Sequence, residues 1–320
     1  MHGGAVELAR RFLAEATHSD LLLATDMLYL PTFLALIRHQ SPSLPVAIYF
    51  HENQLTYPWS PHDVDPALQR HHQYAFMNYT SMLVADRVFF NSAYQRDALL
   101  GALPDFLRQF PDYQGLDTLA GLSAKSEVLP LGMDLRALDK ELHLPRQGSP
   151  VLLWNHRWEY DKDPEAFFAL AFRLKAAGLD FRLLVLGEHY QRQPAIFAQA
   201  KVDLADHIIH IGYVDDRSTY LRYLWQADIL PVTSRQDFFG GSIVEAMYCG
   251  VYPLLPNRLA YPEHLPDSQK SRYLYEGQEA LYQKVREAMA NIDEVRRRAD
   301  EVRAMVAHYD WSIMHQQYDK

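Results

Sequence analysis

Cysteine is nearly missing from this 320-residue chain: Cys249 is the only one. No disulfide can therefore form within the chain, and a reducing cytoplasm is the expected compartment. Long apolar runs are missing too. Stretches such as "LLLA" at 21–24 and "LLVLG" at 183–187 fall far short of the ~18 to 20 residues a membrane span needs, so no span is expected. No basic segment leading into an apolar one opens the chain, so nothing there reads as a secretion signal. Positive charge is not in excess: 31 Lys and Arg stand against 40 Asp and Glu, a net charge of −9, which does not advertise a polyanion partner. Arg296, Arg297, Arg298 and Arg303 do cluster, but "EVRRRADEV" interleaves acids at helical spacing, as a solvated helix face does. With one cysteine and no carboxylate pair at ligand spacing, no metal site is expected. Internal repeats and low-complexity stretches are absent as well.

What the chain does have is 48% hydrophobic residues, enough to fill the cores of two domains. Short apolar runs alternate with helix-length amphipathic segments. Strands are expected at 20–25, 46–50, 87–91 and 126–130, with helices near 29–39, 69–85 and 93–101. The linker-like "HLPRQGSP" at 143–150 follows, and the pattern restarts. Strands are expected at "VLLWN", "FRLLVLG", "HIIHIG", "DILPVTS" and "VYPLLP", with helices at 164–177, 194–204, 218–226 and 241–248 between them. From about 277 the chain reads as helical to its end, with a break near 308–312. Such βαβα alternation implies an α/β protein of two Rossmann-like domains with parallel sheets. The expected layout is a first domain at 1–142, the linker at 143–150, a second domain at 151–300, and a final helix at 301–320 returning to the first. The opening "MHGGAVELARRFLAEA" is a turn and helix with no strand before it, so the first domain is expected to lack its leading strand and glycine-rich turn.

In open α/β sheets ligands sit beyond the carboxyl ends of the strands, so the residues after each strand matter most. After "VLLWN" come Arg157 and Lys162, a planar fork and a point charge that together can hold a diphosphate. The plainer reading is an exposed loop in which Glu159, Asp161 and Asp163 balance the charge. After "DILPVTS" comes "RQDFFGGSIVEAMYCG". Gly240 and Gly241 permit a tight turn that points amides outward at the start of a helix. Asp237 falls in the loop and Glu245 about one turn into the helix, where each can accept hydrogen bonds from hydroxyls. An N-cap acid and an ordinary helix-face Glu is the alternative. His51, Glu52 and Asn53 follow the strand "VAIYF" and should face the cleft from the first domain; a histidine merely capping a strand end is the other reading. The adjacent His71 and His72 read as a helix surface.

The combination Arg157-x4-Lys162 with Asp237-x7-Glu245, together with "KSEVLPLGMDL" at 125–135, resembles the retaining glycosyltransferases of family 4, which have the GT-B architecture of two facing Rossmann-like domains. The segments "YFHENQLTYPWSP", "ADRVFFNSAYQRDALL", "HRWEYDKDPEAFF", "LGEHY" and "DFFGGSIVEAMYCGVYPLLPNRLAYPE" narrow this to a resemblance to the tRNA-queuosine α-mannosyltransferases. It runs along nearly the whole chain from about residue 20, and "HENQ" is its most specific word. The resemblance implies transfer of mannose from GDP-mannose to queuosine in a tRNA anticodon, without cofactor or metal. It implies catalytic roles for His51, Arg157, Lys162 and Asp237, with Arg157 and Lys162 on the diphosphate. The donor would be held by Glu52, Asn53, Gly187, Glu188, Phe238, Phe239, Gly240, Gly241 and Glu245, with Asp237 toward the hexose and Glu245 toward the ribose. Two departures stand out: the sequence does not show the family's upstream strand and Gly-Gly-Ser-His turn, and it has Asp237 where Glu is usual. A different acceptor, such as a lipid or polysaccharide end, or an inactive nucleotide-sugar-binding protein, are the alternatives, and the oligomeric state is left open.

Overall fold

A computed structural model describes residues 3–15, 18–60, 71–140, 146–188 and 194–319. The chain divides into two compact units, Met1–Pro130 and Leu131–Lys320. The first contains α1 (Gly4–Glu15), β1 (Leu22–Thr25), α2 (Leu30–Ile37), β2 (Val46–Phe50), α3 (His71–Val84), β3 (Arg87–Phe90), α4 (Ala93–Leu107), α5 (Leu119–Ala124) and β4 (Ser126–Val128). Its four strands lie parallel in the order β1-β2-β3-β4. Every residue of β2 is buried, as an apolar strand covered on both faces must be. Phe50 and Phe90 stack with ring centroids 5.1 Å apart. Helix α4 starts at the Ser92 cap, whose hydroxyl accepts from the Gln95 amide. It runs six residues past its expected end at 101, through Gly101 and Pro104. Burial of Leu103, Phe106 and Leu107 overrides the weak local propensity there. Among the described residues strand β1 is an edge, and Leu21 just before it and Leu23 within it are more than half exposed.

The second unit contains β5 (Val151–Asn155), α6 (Pro164–Ala176), β6 (Arg182–Leu186), α7 (Ile196–Asp203), β7 (Ile208–Gly212), α8 (Arg217–Gln226), β8 (Ile229–Pro231), α9 (Gly241–Tyr248) and β9 (Tyr252–Pro256). There follow α10 (Lys270–Tyr273), β10 (Leu274–Tyr275), α11 (Gly277–Ala290), α12 (Ile292–Arg297), α13 (Ala299–Val306) and α14 (Trp311–Tyr318). The sheet is parallel with the order β10-β9-β8-β5-β6-β7. Two-residue β10 and six-residue α5 were too short to leave a periodic signal in the sequence.

The units divide at Pro130–Leu131, ahead of the 143–150 stretch that reads as a linker; within that stretch, residues 143–145 lie outside the described ones. Contacts account for where the division falls. The Met133 amide donates to the Tyr309 carbonyl and the Trp311 amide to the Met133 carbonyl, both at 2.8 Å. The Arg136 amide donates to the Asp310 carboxylate at 2.9 Å. Gly132 lies so close to the Trp311 ring that a Cβ would come within 2.6 Å of it. Residues 131–136 are thus tied to 309–311 of the same unit.

Candidate active site

Strand β5 sits in mid-sheet. The chain builds outward from it to β6 and β7 on one side, then crosses to β8, β9 and β10 on the other. At that reversal the loops leaving β5 and β8 diverge and open a crevice. A pocket of about 310 Å³ lies there. Asn155, His156, Arg157 and Lys162 line it from the β5 side, Leu186, Gly187 and Glu188 from β6, Tyr220 from α8, and Asp237, Gly240, Gly241 and Ser242 from the β8–α9 loop.

The two cations occupy different settings. Arg157 is about half exposed and lies 3.4 Å from Glu159. Lys162 closes a 3₁₀ turn over Tyr160–Lys162 and is buried. Its ammonium donates to the Gln236 carbonyl at 2.8 Å and lies 3.2 Å from Asp161 and 3.3 Å from Asp237. Burial pulls its pKa down, but Asp237 and Asp161 outweigh that and hold it above the ordinary value. The exposed-loop reading of this segment is therefore wrong for Lys162 and Asp161, the latter only 1% exposed. The turn is fixed from both ends. Asp163, at φ +49°, caps α6 and pairs with Arg235 at 2.8 Å, while the Arg235 amide donates to the Asp161 carbonyl at 2.7 Å. His156 is buried beside it, and burial, with Lys162 nearby, pushes its pKa down to about 3, so its ring is neutral.

Across the pocket, Gly240 has φ +85°, a left-handed conformation that favours glycine. It leads into α9, whose first residues Gly241 and Ser242 face the pocket. Gly187, at φ +146°, is fixed by closeness as well: a Cβ there would lie 1.8 Å from the His156 carbonyl oxygen. Phe238 and Phe239 are buried, and the Phe239 ring meets His264 and Tyr309 edge-on at 5.2 and 5.1 Å. Glu245 is not among the residues that line the pocket. Arg217 donates to one of its oxygens at 2.9 Å and the Tyr220 hydroxyl to the other at 3.0 Å. Asp237 accepts from the Tyr261 hydroxyl at 3.0 Å. The sequence reading missed His156, Tyr220, Ser242 and Tyr261. The rule of inspecting strand ends reaches His156; Tyr220 and Tyr261 come from helix and loop positions with no local signal.

In the first unit, His51 follows β2. Its amide donates to Asp26 at 2.9 Å, its half-exposed ring nitrogen lies 3.5 Å from the same carboxylate, and the ring packs 4.8 Å from that of Tyr49. Glu52 accepts from the Gln54 amide group at 2.8 Å. Asn53 is fully buried, and its side-chain oxygen accepts from the Leu55 and Thr56 amides and the Thr56 hydroxyl. That oxygen closes the turn after β2. His72 is exposed and stacks on Phe106 at 5.9 Å. Among the described residues no three His, Cys, Asp or Glu side chains are grouped to hold a metal ion, and no helix is long and apolar enough to cross a membrane.

Comparison with known proteins agrees with this layout. Residues 1–133 match the family described as tRNA-queuosine alpha-mannosyltransferase N-terminal, and residues 136–304 match Glycosyl transferases group 1. The chain is 32% identical over 272 residues to the tRNA-queuosine alpha-mannosyltransferase of Drosophila melanogaster, covering 82% of this chain and 69% of that protein. A 2-deoxystreptamine glucosyltransferase of Streptomyces kanamyceticus is 31% identical over 128 residues, 39% of this chain and 32% of that one. Among solved structures, the sucrose-phosphate synthase of Thermosynechococcus elongatus superposes with a TM-score of 0.71 at 17% identity, covering 98% of this chain and 75% of that one. A glycosyltransferase from Rickettsia africae gives 0.66 at 16% identity, covering 98% and 78%. The chain is a glycosyltransferase of GT-B fold and belongs to the tRNA-queuosine alpha-mannosyltransferase family.

Proposed function

We propose that the protein transfers mannose from GDP-mannose, with retention of configuration, to queuosine in a tRNA anticodon. The observation that carries this is the switch-point pocket, which gathers Arg157, Lys162, Asp237 and the amino end of α9 around one cavity. Two cations and a helix amino terminus suit a diphosphate. The three N–H donors of Lys162 face three acceptors, the Gln236 carbonyl, Asp161 and Asp237. A phosphate oxygen arriving at Lys162 displaces one of them. Asp237 is the farthest at 3.3 Å, and once displaced it is free to accept from the sugar hydroxyls. Arg157, exposed at the pocket edge, closes on the other phosphate. Glu245, held by Arg217 and Tyr220, serves the ribose. In the transfer the bond from the sugar C1 to the departing phosphate breaks, a bond from C1 to the acceptor hydroxyl forms on the same face, and the acceptor proton passes to the phosphate.

The test is incubation of the protein with queuosine-containing tRNA and GDP-mannose in EDTA, followed by nucleoside mass spectrometry. A hexose increment on queuosine, absent with UDP- or ADP-sugars and with tRNA lacking queuosine, is the expected result. Activity that needs added magnesium or manganese overturns the metal-free part of the reading, and transfer to a different acceptor overturns the rest.

A further inference from the structure

The turn after β9, "NRLAYPEH" at 257–264, supplies none of the residues that the sequence reading assigns to this site, yet three of its side chains reach the Asp237 loop. The backbone is forced to bring them there: Leu259 sits at φ +59°, a region leucine rarely occupies, and strain of that kind gathers at functional sites. A short 3₁₀ turn, Tyr261–His264, follows immediately. Tyr261 is fully buried. Its ring passes Gly240 so closely that a Cβ on that glycine would lie 3.2 Å from it. Its hydroxyl donates to Asp237 Oδ2 at 3.0 Å, the same oxygen that Lys162 meets at 3.3 Å. Three residues on, buried His264 donates from Nε2 to the Phe239 carbonyl at 2.6 Å and accepts at Nδ1 from the Tyr309 hydroxyl at 3.1 Å. Arg258 donates to the Thr233 and Ser234 carbonyls at 3.2 and 3.0 Å, so three side chains of the turn grip the Asp237 loop, and only Tyr261 does so at the Asp237 carboxylate itself.

We infer that Tyr261 is a positioning residue for the sugar-side carboxylate: its hydroxyl holds Asp237 in place when a sugar nucleotide draws Lys162 away. Lys162 and Tyr261 share one oxygen of Asp237, so losing the Lys162 contact leaves the phenol as the remaining tether and the carboxylate in register with the pocket. Burial, then the adjacent Asp237, raises the phenol's pKa well above its ordinary value, so it stays a donor throughout the working range. This role rests on the sugar-side assignment of Asp237 above.

The experiment is calorimetry of Tyr261→Phe, which removes one oxygen and keeps the ring, with Asp237→Ala as the benchmark. Each is titrated with the sugar nucleotide that the wild type binds and with its nucleoside diphosphate. Loss of one hydrogen bond predicts about a three- to tenfold weaker affinity for the sugar nucleotide, with the nucleoside diphosphate within twofold of wild type. Equal losses for both ligands, or none for either, overturn the inference. A double-mutant cycle of Tyr261→Phe and Asp237→Asn on urea unfolding tests the contact without any ligand. A midpoint shift in the double variant smaller than the sum of the singles supports the tether, and strict additivity overturns it. If no sugar nucleotide binds the wild type, the glycosyl-transfer reading of the pocket fails, and the cycle still decides the tether.

Discussion

The two sheets are built from the same β and α units but in different orders, and the difference explains where the candidate pocket forms. In the first unit the described strands are added one after another in a single direction, β1-β2-β3-β4, so every crossover runs the same way and β1 is left as an edge. In the second, the chain starts in the middle at β5, fills one side, and returns to fill the other. Only that reversal makes two loops diverge from neighbouring strands and leave a hollow between them. His51, Glu52 and Asn53 accordingly sit on a strand end knitted into local turns, with Asp26 and Asn91 fixing the backbone of His51. Lys162, Asp237 and Gly240 instead surround a cavity. Chemistry-bearing residues after a strand are common to both units; the hollow depends on strand order.

The sharpest way to break this comparison is a pair of glycines. Gly187→Ala, at the wall of the crevice, drives a Cβ into the His156 carbonyl, and only a backbone shift relieves it. A loss of more than ~3 kcal/mol is expected, read by urea unfolding. Gly101→Ala, on helix α4 of the first unit, meets nothing within 4 Å and should gain ~0.5 to 1 kcal/mol from helix propensity. Similar outcomes at the two sites would mean that the crevice is not tightly built.

Next in size is the contrast between the two cations. Lys162→Ala leaves Asp161 and Asp237 without their buried partner, which should destabilise the fold by ~3 kcal/mol as well as abolish donor binding. Arg157→Ala, half exposed and 3.4 Å from its acid, should change stability by less than ~0.5 kcal/mol. It should still weaken nucleotide-sugar affinity roughly tenfold or more through loss of a charge-assisted contact. Unfolding curves and calorimetry on both variants separate the roles, and an Arg157→Ala variant with unchanged affinity removes Arg157 from the diphosphate.

The last contrast concerns acid, and near neutral pH it is silent. His156 and His264 are buried in the second unit, and burial lowers their pKa values from 6.5 to about 3 and about 4. The unfolded chain takes up these protons near the ordinary value while the folded chain refuses them. The stability that the neutral rings contribute is therefore complete above about pH 6.5 and is lost as pH falls toward the folded values. Each contributes a slope of up to ~1.4 kcal/mol per pH unit in that window. The stability of His264→Gln should fall less steeply than wild type between about pH 6 and 4.5, and parallel curves would show that His264 takes up its proton without cost.

Much of the layout was legible in the sequence. Residues 46–50, 151–155 and 241–248 form elements at the expected bounds, because apolar strands buried on both faces and a glycine-led helix carry strong local signals. Helix α4 passes its expected end at 101: Gly101 and Pro104 weaken the helix locally, and the burial of Leu103 and Phe106 answers them. Arg157, Lys162, Asp237, Gly240 and Gly241 were nameable because each follows a strand, and Gly187 through the family resemblance; the structure brings all six to one pocket.

The sequence by itself determined the alternation of strands and helices, the two-unit organisation and the family, since these depend on periodicity and on the identity of residues close together in the chain. Tertiary structure decided which charges are buried. Nothing local distinguishes Asp161 from Glu159, yet Asp161 is sealed against Lys162 while Glu159 meets Arg157 at the surface. It also decided the order of the strands, hence the crevice, and it carried Tyr261 from a loop 24 residues away to the carboxylate of Asp237. The physical reason is the same in each case: burial and strand order depend on what the rest of the chain places alongside, and no window of neighbouring residues contains that information.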